Sequence, residues 1–260
     1  METLLETRGL SRSFGGLQAV KDVSFGVTPG AIKAVIGPNG AGKTTLFNLI
    51  AGALAPHGGS ILFKGKDVTG RRPHAIASRG IARTFQTTRL FPHMTVLENV
   101  MVGRHPRTRS GFLAGMLCTP GTRREEREIE ARALGILEDL GLVDYARETA
   151  ANLPFGRQRL VEFARALATE PDLLLLDEPA AGLNIYETKA LSELIVKIRD
   201  GGVTCLIVEH DMSLVMNISD EVVVLDRGVK IAEGPPHAVQ RDPEVIRVYL
   251  GEDHAAGSQS

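Results

Sequence analysis

Residues 37–45 read GPNGAGKTT, set between an apolar run, AIKAVI (residues 31–36), and a helical pattern, LFNLIAGAL (residues 46–54). Strand, glycine loop and helix, in that order, are the context in which a phosphate-binding loop works. Gly37, Gly40 and Gly42 permit tight turns that aim successive N–H groups inward, with Pro38, Asn39 and Ala41 completing the loop. Together with the helix N-terminus this makes an anion cradle. Lys43 adds a mobile positive charge for terminal phosphates. Thr44 offers a hydroxyl where Mg²⁺ is held, and Thr45 can reach a neighbouring phosphate oxygen. The competing reading, a glycine-rich turn that fits the pattern by accident, does not account for the flanking strand and helix.

Around this loop the chain has ordinary globular chemistry. Its 260 residues are 43% hydrophobic with a formal net charge of −1. That length buries a core of one large domain, or one domain plus a subdomain. Neither the charge nor the aromatic content, three Tyr and no Trp, points to a nucleic-acid binder. No apolar run approaches the roughly 20 residues of a membrane helix, and METLLETRGL carries acids where a signal peptide carries bases. A cytosolic chain is expected, with Cys118 and Cys205 as structural thiols.

Before the loop, alternating apolar and polar residues between glycine turns predict short antiparallel strands, with Phe14 in a loop between them. Phe14 is either a packing residue or an aromatic face for a nucleotide base. After it, residues 58–70 predict a hairpin and Pro73 starts a helix. IARTFQ predicts a strand ending at Gln86, and a helix begins near Thr95. Residues 105–127 predict a surface insertion that docks a short helix. From Arg71 to Arg109 there are eight Arg (71, 72, 79, 83, 89, 104, 107, 109) against one acid, Glu98. This is either a solvated basic face or a surface for anionic headgroups or an acidic partner. A charged amphipathic helix covers residues 125–140, and another opens near Gly156 and closes at Pro171. DLLLLDEP then demands a strand buried on both faces, hence a parallel sheet covered by helices. A helix, the buried strand VTCLIVEH, a short helix, a terminal hairpin and a closing helix follow. Residues 251–260 are expected to be disordered.

In an open parallel sheet, ligands sit at the carboxyl ends of the strands. Those ends carry the phosphate loop, Gln86, the pair Asp177 and Glu178, and His210. An acidic pair after four buried leucines is costly without a cation, and Mg²⁺ bound with a nucleotide supplies one. Asp177 then belongs to the metal, and Glu178 polarises a water for attack on the γ-phosphate. The plainer alternative for this pair is a turn or helix cap. His210 can hydrogen-bond the γ-phosphate or the water. Gln86 can touch metal or water and relay the nucleotide state.

GPNGAGKT, Gln86, LPFGRQ, LLLLDEP, AGLN and EHD occur in the order and spacing of the ATP-binding subunits of ABC transporters, and the chain resembles that family over nearly its whole length. The resemblance implies an α/β fold: a RecA-like P-loop ATPase core with an antiparallel β subdomain and an inserted α-helical subdomain. The core spans residues 1–86 and 166–250; the helical part, with the family signature, spans 87–165. It further implies that Phe14 stacks on adenine, Gln86 forms the Q-loop, Asp177 is the Walker B carboxylate, Glu178 the catalytic base and His210 the switch histidine. Pro154, Phe155, Gly156, Arg157 and Asn184 would reach the nucleotide of a dimer partner in trans. Residues 83–103, 177–184, 208–220 and 242–253, with the long insertion, are most similar to the LivG-type ATPases of branched-chain amino-acid importers. Subunits serving urea, amides, other amino acids or lipopolysaccharide export look alike. ATP and Mg²⁺ are the implied cofactors. The implied partners are a second ABC ATPase subunit, identical or similar, two membrane permeases and, indirectly, a periplasmic or extracellular substrate-binding protein, on the cytoplasmic face of the membrane.

Two rivals remain. A soluble ABC-type clamp on DNA or ribosomes commonly carries two ATPase units or a long coiled coil. A non-ABC phosphate-loop kinase would leave the signature-like helix and His210 unexplained. Two positions depart from the family pattern: Pro154 stands where the usual LSGGQ has a Ser, and Asn184 where Asp is common. Pro154 suits a helix start but donates no hydrogen bond, while Arg157 can offer charge in place of that donor. Pro154→Ser is therefore expected to strengthen ATP-driven dimerisation, measured by light scattering; equal or weaker dimerisation rejects this account.

Overall fold

The computed structural model describes residues 3–84, 90–104 and 120–256 of the chain. Two compact units emerge: Met1–Ile76 with Asp172–Ser260, and Ala77–Pro171.

The first unit begins with β1 (Leu5–Phe14), β2 (Leu17–Val27), β3 (Ile32–Ile36), α1 (Lys43–Ile50), β4 (Gly58–Phe63) and β5 (Lys66–Asp67), and α2 (Pro73–Ala77) ends this stretch. Strands β1, β2, β4 and β5 form an antiparallel sheet in the order β2-β1-β4-β5. The second unit holds β6 (Ile81–Arg83), α3 (Val96–Val102), α4 (Pro120–Asp139) and α5 (Phe155–Leu167). The chain returns to the first unit with β7 (Leu173–Asp177), α6 (Ile185–Asp200), β8 (Thr204–Val208), α7 (Met212–Ile218), β9 (Glu221–Asp226), β10 (Val229–Gly234), α8 (Pro236–Val239) and α9 (Pro243–Ala256). There the order β10-β9-β3-β8-β7 makes the main sheet, parallel except for β10.

Every residue of β3, β7 and β8 is buried. Strands covered on both faces by other elements read as continuous apolar runs, as these do. One face packs Ala34, Ile36, Val222 and Val224 against Val215 of α7, Val239 of α8 and Val245 of α9.

Lys33 breaks the apolar run of β3 and is 2% exposed. Its Nζ donates to the Gly26 carbonyl and to Glu233 Oε1, and lies 2.8 Å from Glu221 Oε2. Lys230 Nζ donates to Ser24 O and to Glu233 Oε2. The two lysines thus stitch the main-chain carbonyls of β2 to the β9–β10 hairpin, satisfying a buried ammonium that would otherwise be costly. Burial works against the charge of Glu233, but hydrogen bonds from Lys230 and Lys33 outweigh it and hold its carboxyl below the usual range.

In the second unit, α3, α4 and α5 enclose Val96, Val100, Ala133, Leu137, Leu153, Val161 and Ala164. Thr95 caps α3 by accepting from Glu98 N, and the Glu98 carboxylate accepts from Thr95 N, a reciprocal capping box. The buried Asn99 side chain accepts from Phe91 N and donates to the Phe91 and Thr95 carbonyls, fixing the approach to that helix. A Cβ on Gly103 would lie 2.2 Å from the Arg165 carbonyl oxygen, so α3 meets α5 backbone to backbone.

Some expectations shift. Phe14 closes β1 opposite Leu17 instead of lying in a loop. Helix α5 stops at Leu167, four residues before Pro171, because the chain turns at Glu170 with φ 49. Residues 251–256, expected to be disordered, continue α9 as helix. Glu252, Ala255 and Ala256 favour helix, and no proline interrupts it. Residues 120–127, read as the end of the insertion, instead open α4, which starts at Pro120 and not near Glu125. Gln86, Arg89, Cys118 and the rest of the insertion, 105–119, lie outside the described residues.

Because the carboxyl of Glu233 is depressed in the fold, its stabilisation is present above the ordinary carboxylate pKa and is lost as pH falls through the folded value. Glu233→Gln should cost about 1.5 to 3 kcal/mol at pH 7, the range for hydrogen bonds to charged groups. The difference from the parent chain should shrink as pH falls below about 4. Urea unfolding at both pH values checks it.

Candidate functional site

The loop leaving β3 is shaped by main-chain crowding. Gly37 has φ 150, and a Cβ there would come within 2.1 Å of the Leu225 carbonyl oxygen. Gly42 has φ 99, with Ala19 O only 2.3 Å from the place of a Cβ. Gly228, in the β9–β10 turn, donates its N–H to Ala41 O at 3.0 Å and accepts from Lys21 N at 2.8 Å. The loop is therefore walled by the backbone of β2 on one side and of the β9–β10 hairpin on the other. Only residues without a Cβ fit at Gly37 and Gly42.

Helix α1 starts at Lys43, with Gly42 as a left-handed N-cap that offers no side chain to the first-turn amides. Those amides are left for an anion. The Lys43 ammonium is buried over the same loop, donating to Gly37 O at 2.6 Å and Pro38 O at 2.9 Å. Asn39, Gly40 and Thr44 are exposed on the loop, and Thr45 is half-buried.

The register of the parallel strands brings the remaining polar residues to the same edge. Val35 of β3 pairs with Val208 of β8, and Val208 pairs with Asp177 of β7. The phosphate loop, Glu209–His210 and Asp177–Glu178 thus leave the sheet within one or two residues of a common line. Asp177 is 5% exposed. Glu178 turns the chain with φ 45, its N–H donating to Val208 O at 2.9 Å. The His210 ring, largely exposed, has Nδ1 3.9 Å from Glu178 Oε2 and 3.6 Å from Glu209 Oε2.

Glu209 was not among the residues singled out, although it is fully buried beside them. Its Oε1 accepts from Ala180 N at 2.8 Å, and its Oε2 accepts from His210 N at 2.9 Å and Asp211 N at 3.3 Å. The signal was present in the sequence: an acid directly after a run of buried residues, the same pattern that drew attention to Asp177.

The other expected residues fall as follows. Phe14 is 44% exposed at the tip of the β1–β2 hairpin, with the Arg12 guanidinium 5.1 Å from its ring centre. Asn184 caps α6, its Oδ1 accepting from Tyr186 N and Glu187 N. Asp would cap equally well at this position. In the second unit Pro154 is the N-cap of α5, with no side-chain cap bond. Phe155 is exposed, Gly156 is half-buried, and Arg157 stacks its guanidinium 4.0 Å from the Tyr145 ring centre. Gln86 lies outside the described residues.

The chemistry this arrangement supports is charge-based. A buried ammonium and unfilled helix-start amides face a sheet edge that also carries a buried carboxylate, a half-buried carboxylate and an imidazole. Among the described residues no cluster of three or more His, Cys, Asp or Glu forms a ready metal cage. A hydroxyl at Thr44 and the carboxylate of Asp177 suit Mg²⁺, which takes few protein ligands and completes its shell with phosphate and water oxygens.

The ABC transporter family profile matches residues 20–181, and a branched-chain amino acid ATP-binding cassette transporter profile matches residues 229–255. The high-affinity branched-chain amino acid transport ATP-binding protein LivG of Escherichia coli K12 is 47% identical over 96% of this chain and 99% of its own. BraF of Pseudomonas aeruginosa, which carries the same description, is also 47% identical, over 96% and 98%. A solved ATP-binding cassette of an ABC transporter, in its ADP conformation, superposes with a TM-score of 0.84 at 35% identity, covering 96% of this chain and all of that one. With a family profile over residues 20–181, relatives 47% identical over nearly the whole chain and a shared fold, the chain belongs to the ABC transporter family as an ATP-binding cassette.

Proposed function

We propose that this chain hydrolyses ATP as the nucleotide-binding subunit of an importer for branched-chain amino acids, held at the cytoplasmic face of the membrane by its permeases. The observation that carries the reading is the common edge at which β3, β8 and β7 deliver the phosphate loop, His210, Asp177 and Glu178. The names of the relatives and the profile over residues 229–255 support the substrate class. No described helix is long and apolar enough to cross a membrane, so attachment would rest on partner subunits.

In this reading Lys43, Thr45 and the amides of residues 37–45 bind the phosphates, and Phe14 stacks on the adenine. Mg²⁺ held by Thr44 and Asp177, with Gln86 beside it, would neutralise charge on the phosphates. Glu178 takes the proton of the attacking water as general base. His210 stands across from Glu178 and orients the water or the γ-phosphate. A second cassette, identical or similar, supplies Pro154, Phe155, Gly156, Arg157 and Asn184 to the same nucleotide. Here the stack of Arg157 on Tyr145 matters, because a guanidinium held by a ring loses less freedom when it meets an anion. Gln86 and the helical stretch 87–165 relay closure to two permeases, with a binding protein outside delivering the cargo.

Glu178→Gln should retain ATP while losing at least a hundredfold in hydrolysis, and in ATP it should co-purify from membranes with two permeases and a second cassette. Recovery with ribosomes or DNA and no membrane protein would overturn the transport reading. Phe14→Ala should weaken ATP binding by about 1 to 3 kcal/mol, a roughly 5- to 150-fold rise in Kd, as for loss of one base stack. Its melting temperature should hardly move, since the ring is half exposed. Fluorescent-nucleotide titration and thermal unfolding measure the two effects.

A further inference from the structure

We propose that Glu209 is a positioning residue for hydrolysis: its buried carboxylate clamps the turn after Glu178 to the turn that carries His210, so the two move as one piece. This rests on the ATPase reading given above.

Glu209 is fully buried, and an unpaired carboxylate in such a place is worth several kcal/mol of destabilisation. Among the described residues no Lys or Arg pairs with it; the His210 ring lies nearby, its Nδ1 3.6 Å from Oε2. What satisfies it is main chain. Ala180 N donates to one oxygen, and His210 N and Asp211 N donate to the other. A carboxylate that accepts backbone N–H groups from two separate loops is a cross-link between them. The Glu209 backbone is itself anchored, its N–H pointing to Val35 O at 3.4 Å, two residues before the phosphate loop.

Both clamped turns carry chemistry. Ala180 lies two residues after Glu178 and four before Asn184, and the turn between them is closed by Ala181 N donating to Glu178 O at 3.1 Å. His210 is the residue next to the clamp on the other side. The backbones that carry Glu178 and His210, whose side chains lie 3.9 Å apart, are thus linked through one carboxylate in addition to the bond from Glu178 N to Val208 O. A shift of residues 180–184 against a second cassette would reach His210 through the Glu209 carboxylate.

No other side chain of similar size reproduces this. Gln presents an NH₂ to N–H donors on one side, so it must release either Ala180 or the His210–Asp211 pair. Asp, one methylene shorter, does not span both turns.

The test uses the full chain and the variants Glu209→Gln and Glu209→Asp, with thermal unfolding, ATP binding, steady-state hydrolysis and amide hydrogen exchange without nucleotide. Expected are ATP affinity and KM within about twofold of the parent, kcat reduced at least tenfold, and faster exchange in at least one of 179–184 and 209–214, with 32–36 and 43–50 unchanged. Exchange unchanged in both turns overturns the clamp. So does kcat within twofold in both variants, or a loss of kcat matched by equal losses of affinity and melting temperature. A parent chain that does not hydrolyse ATP would sink the ATPase reading instead, and the exchange pattern would still decide the clamp.

Discussion

A strand buried on both faces cannot carry solvated charge along its length, and this constraint organises the whole first unit. In β3, β7 and β8 every residue is removed from water, which leaves the carboxyl ends as the places where polar groups can stand. Because the three strands are parallel and in register at Val35, Val208 and Asp177, those places coincide. A polar site is thus assembled from segments up to about 170 residues apart without any one of them being polar through its body. The requirement of burial does the gathering.

Two buried charges test that constraint, and they meet it differently. Lys33 sits inside β3 and is neutralised by carboxylates and a carbonyl from β2, β9 and β10. Its partners are structural, and they join the antiparallel sheet to the main one. Glu209 sits just past β8 and is satisfied by amide dipoles alone. Charge paired with charge makes a rigid seam; charge held by loop amides ties together segments that also face a ligand.

The elements legible in the sequence were those with a local cause. The glycine loop, the four leucines before Asp177 and the helix start near Thr95 are each specified within a few residues, and each stands at its place in the structure. What escaped depends on distant segments. Nothing near Lys33 says that Glu221 and Glu233 will come to it. Nothing near Glu209 says that Ala180 will donate to it, 29 residues away. Asn184 read as a departure from a family pattern, yet it does the work of a helix cap for α6, a role that either Asn or Asp fills. The continuation of α9 to Ala256 was hidden by the polar composition of the last residues, which describes solubility better than backbone state.

The phosphate loop has its sequence, and its β2 wall, in the first fifth of the chain but its other wall in the last fifth. Gly37 is pressed against the Leu225 carbonyl, and Ala41 O takes the N–H of Gly228. A chain emerging from the ribosome therefore displays the glycine motif long before it owns the shape of the loop. Until the β9–β10 hairpin has emerged the motif lacks the Leu225 and Gly228 backbone against which the loop is held, so the complete loop exists only late in synthesis, and a chain truncated before that hairpin keeps the motif without this wall.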